Sequence, residues 1–142
     1  MGLSDRDRAF IQANPSAAMI TVGADGMAKA ARVAVGLVDG RLWSSGTADR
    51  VRTLRLRGDP RCTLYVHAAT FSFMTLETVV TILDGQDAPQ QSLRLFRLLQ
   101  DRPSGPLAWM TGELEEEALL EAMVEEQRLI YEFEVQRTYG LY

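Results

Sequence analysis

The chain has 142 residues, 46% of them hydrophobic and 24% charged, a balance that fits a globular protein with a sizeable core and excludes a disordered or low-complexity chain. Fifteen basic residues against nineteen acidic ones leave a formal charge of −4, which disfavours nucleic acid as the main partner because phosphate backbones bind broadly basic faces. The single cysteine, Cys62, rules out an intrachain disulfide. With no charged-then-apolar leader and no long apolar run, the simplest expectation is one cytoplasmic domain over 1–142 with no membrane partner.

Ser4 with Asp7 three residues on is spaced as a capping box, and the helix it opens should stop before Asn14-Pro15, since a residue preceding proline avoids the helical region. Ala18 to Val22 then reads as a strand leading to a turn at Ala24-Asp25-Gly26. Lys29 to Val38 reads as a second strand, Asp39-Gly40 as a hairpin turn, and Arg41-Leu42-Trp43 as a third, so the three are expected to form a meander. Beyond a small-residue turn and a short arginine-rich helix, Arg61 to His67 and Thr70 to Leu83 are extended runs of β-branched and aromatic residues. The spacing of Leu93, Leu95, Phe96, Leu98 and Leu99 predicts a helix, and Glu113 to Gln127 is strongly helical in propensity. Its acids Glu115, Glu116, Glu117, Glu121, Glu125 and Glu126 read as a solvated face rather than a carboxylate site. Leu129 to Val135 alternates as a closing strand.

The stretch from Ser44 to Pro60 is the most informative. It reads as a strand end, a turn and a helix with arginines in its first turns, and helix N-termini leave N–H groups unpaired while carrying a partial positive charge. Ser44, Ser45 and Thr47 add neutral donors, Gly46 permits close backbone approach, and Arg50 and Arg52 supply charged forks. The segment is therefore expected to hold a cofactor phosphate. The competing reading is an ordinary N-cap with solvated arginines.

Other reactive residues point less far. His67, at a strand end, is expected to be a structural or rim residue, and a proton donor only if the rim lies by the binding groove. Cys62 lies in an apolar strand and is expected in the core. No Ser-His-Asp set is available, and no Cys/His/Asp cluster has metal-ligand spacing, so no metal is expected. Trp43 either stacks near a cofactor ring or, as is commoner in a small barrel, fills core, whereas Trp109, in the loop after Pro106, either walls a pocket from a second protomer or anchors its loop.

Six or so strands with a few helices, ordered as meander, crossover helix, long hairpin and closing strand, suggest a mainly β (α+β) fold: a small antiparallel barrel with peripheral helices. Over nearly its whole length the chain resembles the split β-barrel flavin and deazaflavin reductase family, the wider group around pyridoxamine phosphate oxidase. The likeness is carried by Thr21-Val22-Gly23-Ala24-Asp25-Gly26, by Leu56-Arg57-Gly58-Asp59-Pro60-Arg61 after a Thr/Ser-rich turn and basic residues, and by the ending Glu134 to Gly140. It implies a six-stranded split barrel, a homodimer and a cofactor in the groove between protomers. Ser45, Thr47, Arg50 and Arg52 fall on positions that hold its phosphate, and Ser44 lies beside them. Arg52 stands where lysine is common and Arg55 where asparagine is common, which keeps the charge and changes its geometry. The strand along the ring system maps to Arg32-Val33-Ala34-Val35-Gly36, without the proline or tryptophan often found there, and Trp109 joins Arg32, Val33 and Arg55 as a candidate cofactor contact.

The resemblance thus implies an oxidoreductase using reduced coenzyme F420 to transfer hydride to a small conjugated acceptor. Likeness to the actinobacterial branch and the arginine-rich usage favour the deazaflavin, with Arg6 and Arg8 as possible partners for its anionic tail, although a solvated first helix is the simpler account of that pair. The alternatives are an FMN-dependent oxidase or reductase of the same group, a non-catalytic cofactor-carrying dimer, and a haem-binding relative with His67 as the axial ligand.

Overall fold

The computed structural model describes residues 2–110 and 112–142, and most of its β segments join into one curled antiparallel sheet. In chain order the elements are α1 (Asp5–Ala13), β1 (Ser16–Val22), β2 (Ala28–Ala34), β3 (Gly36–Val38), β4 (Arg41–Thr47), α2 (Val51–Gly58), β5 (Arg61–His67), β6 (Phe73–Leu83), α3 (Ala88–Gln100), β7 (Leu107–Trp109), β8 (Gly112–Leu114), α4 (Glu116–Glu125) and β9 (Arg128–Leu141). Seven strands pair in the order β2-β1-β5-β6-β9-β4-β3, and β7 and β8 form a separate hairpin. The mainly β fold with helical decoration stands as expected, and the count of six strands is corrected to seven in the main sheet.

The expected meander is also corrected. β2 pairs only with β1 and β3 only with β4, so the two hairpins lie at opposite ends of the sheet. The extended run from Lys29 breaks after Ala34, where the Val35 amide bonds the Pro15 carbonyl at 2.8 Å. Gly36 then lies so close to α3 that a Cβ there would stand 2.8 Å from a Leu98 methyl. Curling brings the ends together, because the Ser44 hydroxyl donates to the Ala34 carbonyl at 2.7 Å and holds β2 beside β4 without a ladder. Asp39 and Gly40 both take positive φ, 52° and 76°, as a tight hairpin turn requires.

Alternation decides what fills the curl. Met19, Leu42, Leu64, Leu76, Tyr131 and Phe133 point inward and are almost wholly buried. On the opposite face Trp43 and Ile130 pack against Leu95 of α3, and Trp43 Nε1 donates to Glu132 at 2.9 Å, so this indole fills core as expected. A satellite cluster of Leu93, Leu107, Leu119 and Met123 joins α3, α4 and the β7–β8 hairpin. The acidic run is shorter as a helix than its propensity suggests, because 112–114 pair as β8 before α4 begins. Among the described residues no helix is long and apolar enough to cross a membrane.

The capping box of α1 is present as read, and the far end of the chain completes it. Asp7 accepts from the Ser4 amide at 3.0 Å and from the Tyr142 hydroxyl at 2.7 Å, and the Arg6 guanidinium lies 4.7 Å from the Tyr142 ring centre. Burial pushes the Asp7 carboxyl up, but the bonds from Ser4 and Tyr142 and the nearby Arg6 charge outweigh it and hold it below its ordinary 3.8. A carboxyl with a depressed folded pKa stabilises the fold above its unfolded value and loses that contribution as pH falls through the folded one. Asp7→Asn is therefore expected to cost about 1–2 kcal/mol at pH 7, measured by urea unfolding. The gap from wild type should close below pH 3.8.

Candidate functional site

The segment read as an anion site is organised by Tyr131, a fully buried residue of β9. Cross-strand register places Ser44 opposite Tyr131 and Gly46 opposite Leu129, so Ser44 and Gly46 share the inward face of β4 with the tyrosine. Gly46 is required here, since a Cβ would overlap the Tyr131 ring. The Tyr131 hydroxyl hydrogen-bonds the buried Thr53 hydroxyl, which also donates to the Thr47 carbonyl at 2.8 Å. Thr53 lies in the first turn of α2, so these bonds fix the start of that helix against the end of β4. Sequence reasoning missed Tyr131 and Thr53, and the signal lay in the β9 alternation, which aims every second side chain at β4.

The candidate donors do not all converge. Ser44 is buried and committed to the Ala34 carbonyl. Ser45 faces the other side of β4 with Ile130, and its buried hydroxyl has no hydrogen-bond partner. The Thr47 hydroxyl donates to Asp49 at 2.6 Å, a bond that holds the Asp49 carboxyl below the usual carboxylate range. Arg55 donates from Nε to the buried Thr21 hydroxyl at 2.9 Å, tying α2 to β1. What remains open is the helix start itself. Arg50 is the N-cap, no side chain caps the first-turn amides, and Arg52 has a buried Nε without a partner while its guanidinium lies 5.8 Å from the Tyr131 ring centre.

Ion pairing separates these arginines from most others. Arg8, Arg41, Arg57, Arg61, Arg94, Arg97, Arg102 and Arg128 each contact a carboxylate within 4.0 Å, the distance that defines a salt bridge. Among the described residues Arg6, Arg32, Arg50, Arg52, Arg55 and Arg137 contact none. With α2 uncapped, Arg50 and Arg52 place positive charge at a helix start suited to an anion, offset in part by the Asp49 carboxylate beside Arg50.

Arg32 and Val33 divide. Val33 is buried in the core, so only its backbone can face a ligand, while Arg32 lies exposed on the outer face with its Nε donating to the Ser16 hydroxyl at 3.0 Å. A groove there, lined by small residues of β1 and β2, also takes in His67. Trp109 is anchored by its own chain. Its indole N–H donates to Glu126 at 3.0 Å, its ring meets Phe96 edge-on at 4.9 Å, and Arg128 lies 5.2 Å from its centre. Glu126 is thus engaged, as is Glu116 of α4 through Arg97. Arg8 pairs with Asp5 and Arg6 stacks on Tyr142. Cys62 is buried in the core as expected, and burial pushes its thiol up to about 12. Among the described residues no group of three or more His, Cys, Asp or Glu is arranged to hold a metal ion.

The architecture defines a split-barrel protein, and comparison with solved structures agrees. The fold recurs in a conserved hypothetical protein from Mycobacterium tuberculosis, at TM-score 0.73 and 19% identity over 98% of this chain and 84% of that one. It recurs in an F420 reductase, at TM-score 0.69 and 16% identity over 96% of this chain and 98% of that one. A candidate pyridoxamine 5'-phosphate oxidase from Listeria innocua aligns at TM-score 0.67 and 13% identity, over 96% of each chain. No protein-family model and no curated protein matches the sequence. At these identities the likeness establishes the fold, and function has to be argued from the site.

The glycine constraint is directly testable. Gly46→Ala is expected to destabilise the fold by about 1–3 kcal/mol, the usual cost of overpacking a core. Gly58→Ala, where an added Cβ meets nothing within 4 Å, should leave stability level or slightly raised. Equal urea midpoints for the two variants would contradict the seating of Gly46 on Tyr131.

Proposed function

We propose that the protein is a homodimeric oxidoreductase that binds coenzyme F420 and reduces a small conjugated acceptor by hydride transfer. The observation that carries this reading is the uncapped start of α2, flanked by Arg50 and Arg52, neither of which is paired with a carboxylate. A buried guanidinium nitrogen without a partner is costly, and an anionic oxygen would relieve that cost. The likeness in fold to an F420 reductase supports the choice of cofactor. Arg6 and Arg8 do not add to it, being engaged by Tyr142 and Asp5. FMN, which shares the ring shape and a phosphate, is the alternative.

The residues present fit such a group at its phosphate. The first-turn amides of α2 with Arg50 and Arg52 would hold it, while Ser44, Thr47 and Arg55 shape the segment through their bonds to Ala34, Asp49 and Thr21. When bound, the cofactor supplies the hydride. β2, an edge strand held to β4 through Ser44, offers free backbone groups beside the groove at Arg32. Exposed apolar side chains at Val22, Val51, Leu54, Phe71 and Leu141 support a second copy of the chain as partner, since a dimer would cover them.

The test is fluorescence titration of the protein with oxidised F420 and, separately, FMN, against an Arg50→Ala/Arg52→Ala variant. Each charged hydrogen bond lost should cost about 1.5–3 kcal/mol, roughly 10- to 100-fold in Kd. Tight FMN binding with none of F420 would move the protein to the flavin branch. Binding of the cofactor without turnover of any acceptor would make it a carrier, and equal affinity in the variant would overturn the site.

A further inference from the structure

The groove on the outer face of the sheet has a volume of about 390 Å³ and brings together Ser16 and Ala18 of β1, Ala30, Ala31 and Arg32 of β2, and His67 at the end of β5. Register explains the grouping of all but Ala31, which stands opposite the buried Met19. Ala18 stands opposite Arg32 on one side and Tyr65 on the other, so alternate residues of three neighbouring strands project from one face. The methyl groups of Ala18 and Ala30 line that face with small apolar surface beside Arg32. Arg32 uses Nε to bond the Ser16 hydroxyl at 3.0 Å and contacts no carboxylate, which leaves its two terminal nitrogens as an open fork matched to a carboxylate. His67 Nδ1 lies 3.2 Å from the Ala68 carbonyl. A carbonyl only accepts, so the neutral ring carries its proton on Nδ1, and the proton His67 can release is the one Nε2 gains in the imidazolium.

We propose that this groove binds the acceptor as a planar unsaturated carboxylate, with Arg32 clamping the carboxylate and His67 delivering the proton that completes its reduction. The proposal rests on the hydride-transfer reading above and names its substrate class. When bound, the reduced cofactor would supply the hydride for a new C–H bond at the β-carbon. The pair of the carbon–carbon double bond then takes the His67 Nε2 proton at the α-carbon. The acceptor gains two electrons, the cofactor loses two, and neutral His67 is reprotonated by solvent. Around His67 stand Ser16 of β1, Arg32 of β2, Tyr65 of its own strand and Phe73 of β6, of which only Arg32 is charged.

His67 is the only histidine in the chain, so its Cε1–H resonance in the full-length protein is unambiguous. In cofactor-free protein, cinnamate should shift that resonance saturably. Acetate at the same concentration should not, and Arg32→Ala should abolish the response to cinnamate. No shift, or an equal shift with acetate, would overturn the groove as a site for such acids. With reduced F420 and cinnamate, His67→Gln should slow turnover at least about 10-fold and flatten its fall with rising pH. An unchanged pH profile in His67→Gln, or no turnover of cinnamate by a protein that binds both ligands, would overturn the proton-donor role. A saturable cinnamate shift in a protein that binds neither F420 nor FMN would support the groove and overturn only the cofactor reading.

Discussion

The contact between Tyr131 and Gly46 sets the position of everything at the candidate phosphate site. Tyr131 is fully buried, and its ring occupies the space that a side chain at residue 46 would need. Its hydroxyl reaches Thr53, and Thr53 in turn bonds the Thr47 carbonyl, so one residue of β9 locates both the end of β4 and the start of α2. Thr53 is itself completely buried, which leaves its hydroxyl no solvent to turn to. A helix start held this firmly can present its amides in one arrangement without a side-chain cap, and preorganised donors of that kind are the ones that bind anions well.

Charge placement follows the same logic. Most arginines of this chain are neutralised by a neighbouring carboxylate, several across elements, such as Arg57 with Asp84 and Arg94 with Asp39. Exposed pairs of this kind contribute little to stability. Their significance is the contrast with Arg50 and Arg52, which meet no such partner at a helix end where the dipole is already positive. Arg32 shows the same contrast on the outer face, where a serine rather than an acid orients it.

Much of the architecture was legible because it rests on local rules. The Ser4 and Asp7 spacing gave the first cap, Asp39-Gly40 gave its hairpin turn, and the alternation of Leu129 to Val135 gave the closing strand. Strand partnership was not legible. Nothing local tells that β2 and β3 part company at Val35, since that break depends on Pro15 and on α3 pressing against Gly36. At the site, the commitments of the residues read as anion donors were invisible. Ser44 turned to a carbonyl of β2, Thr47 to Asp49 and Arg55 to Thr21, each a contact set by the curl of the sheet rather than by neighbours in sequence. Trp109, which the sequence left between pocket wall and loop anchor, has its polar atom satisfied by Glu126 on its own chain. The grouping of Arg32 with His67 required the β1–β5 register, which brings residues far apart in sequence onto one face.

The central claim is that the open start of α2 binds an anion through backbone amides. The most direct measurement is a 1H–15N NMR titration of the protein with oxidised F420, following the amides of Val51, Arg52 and Thr53. On this account their proton resonances move downfield together and saturate along one curve, as amides do when they take a phosphate oxygen. Saturable shifts confined to residues elsewhere, with these three unmoved, would contradict it.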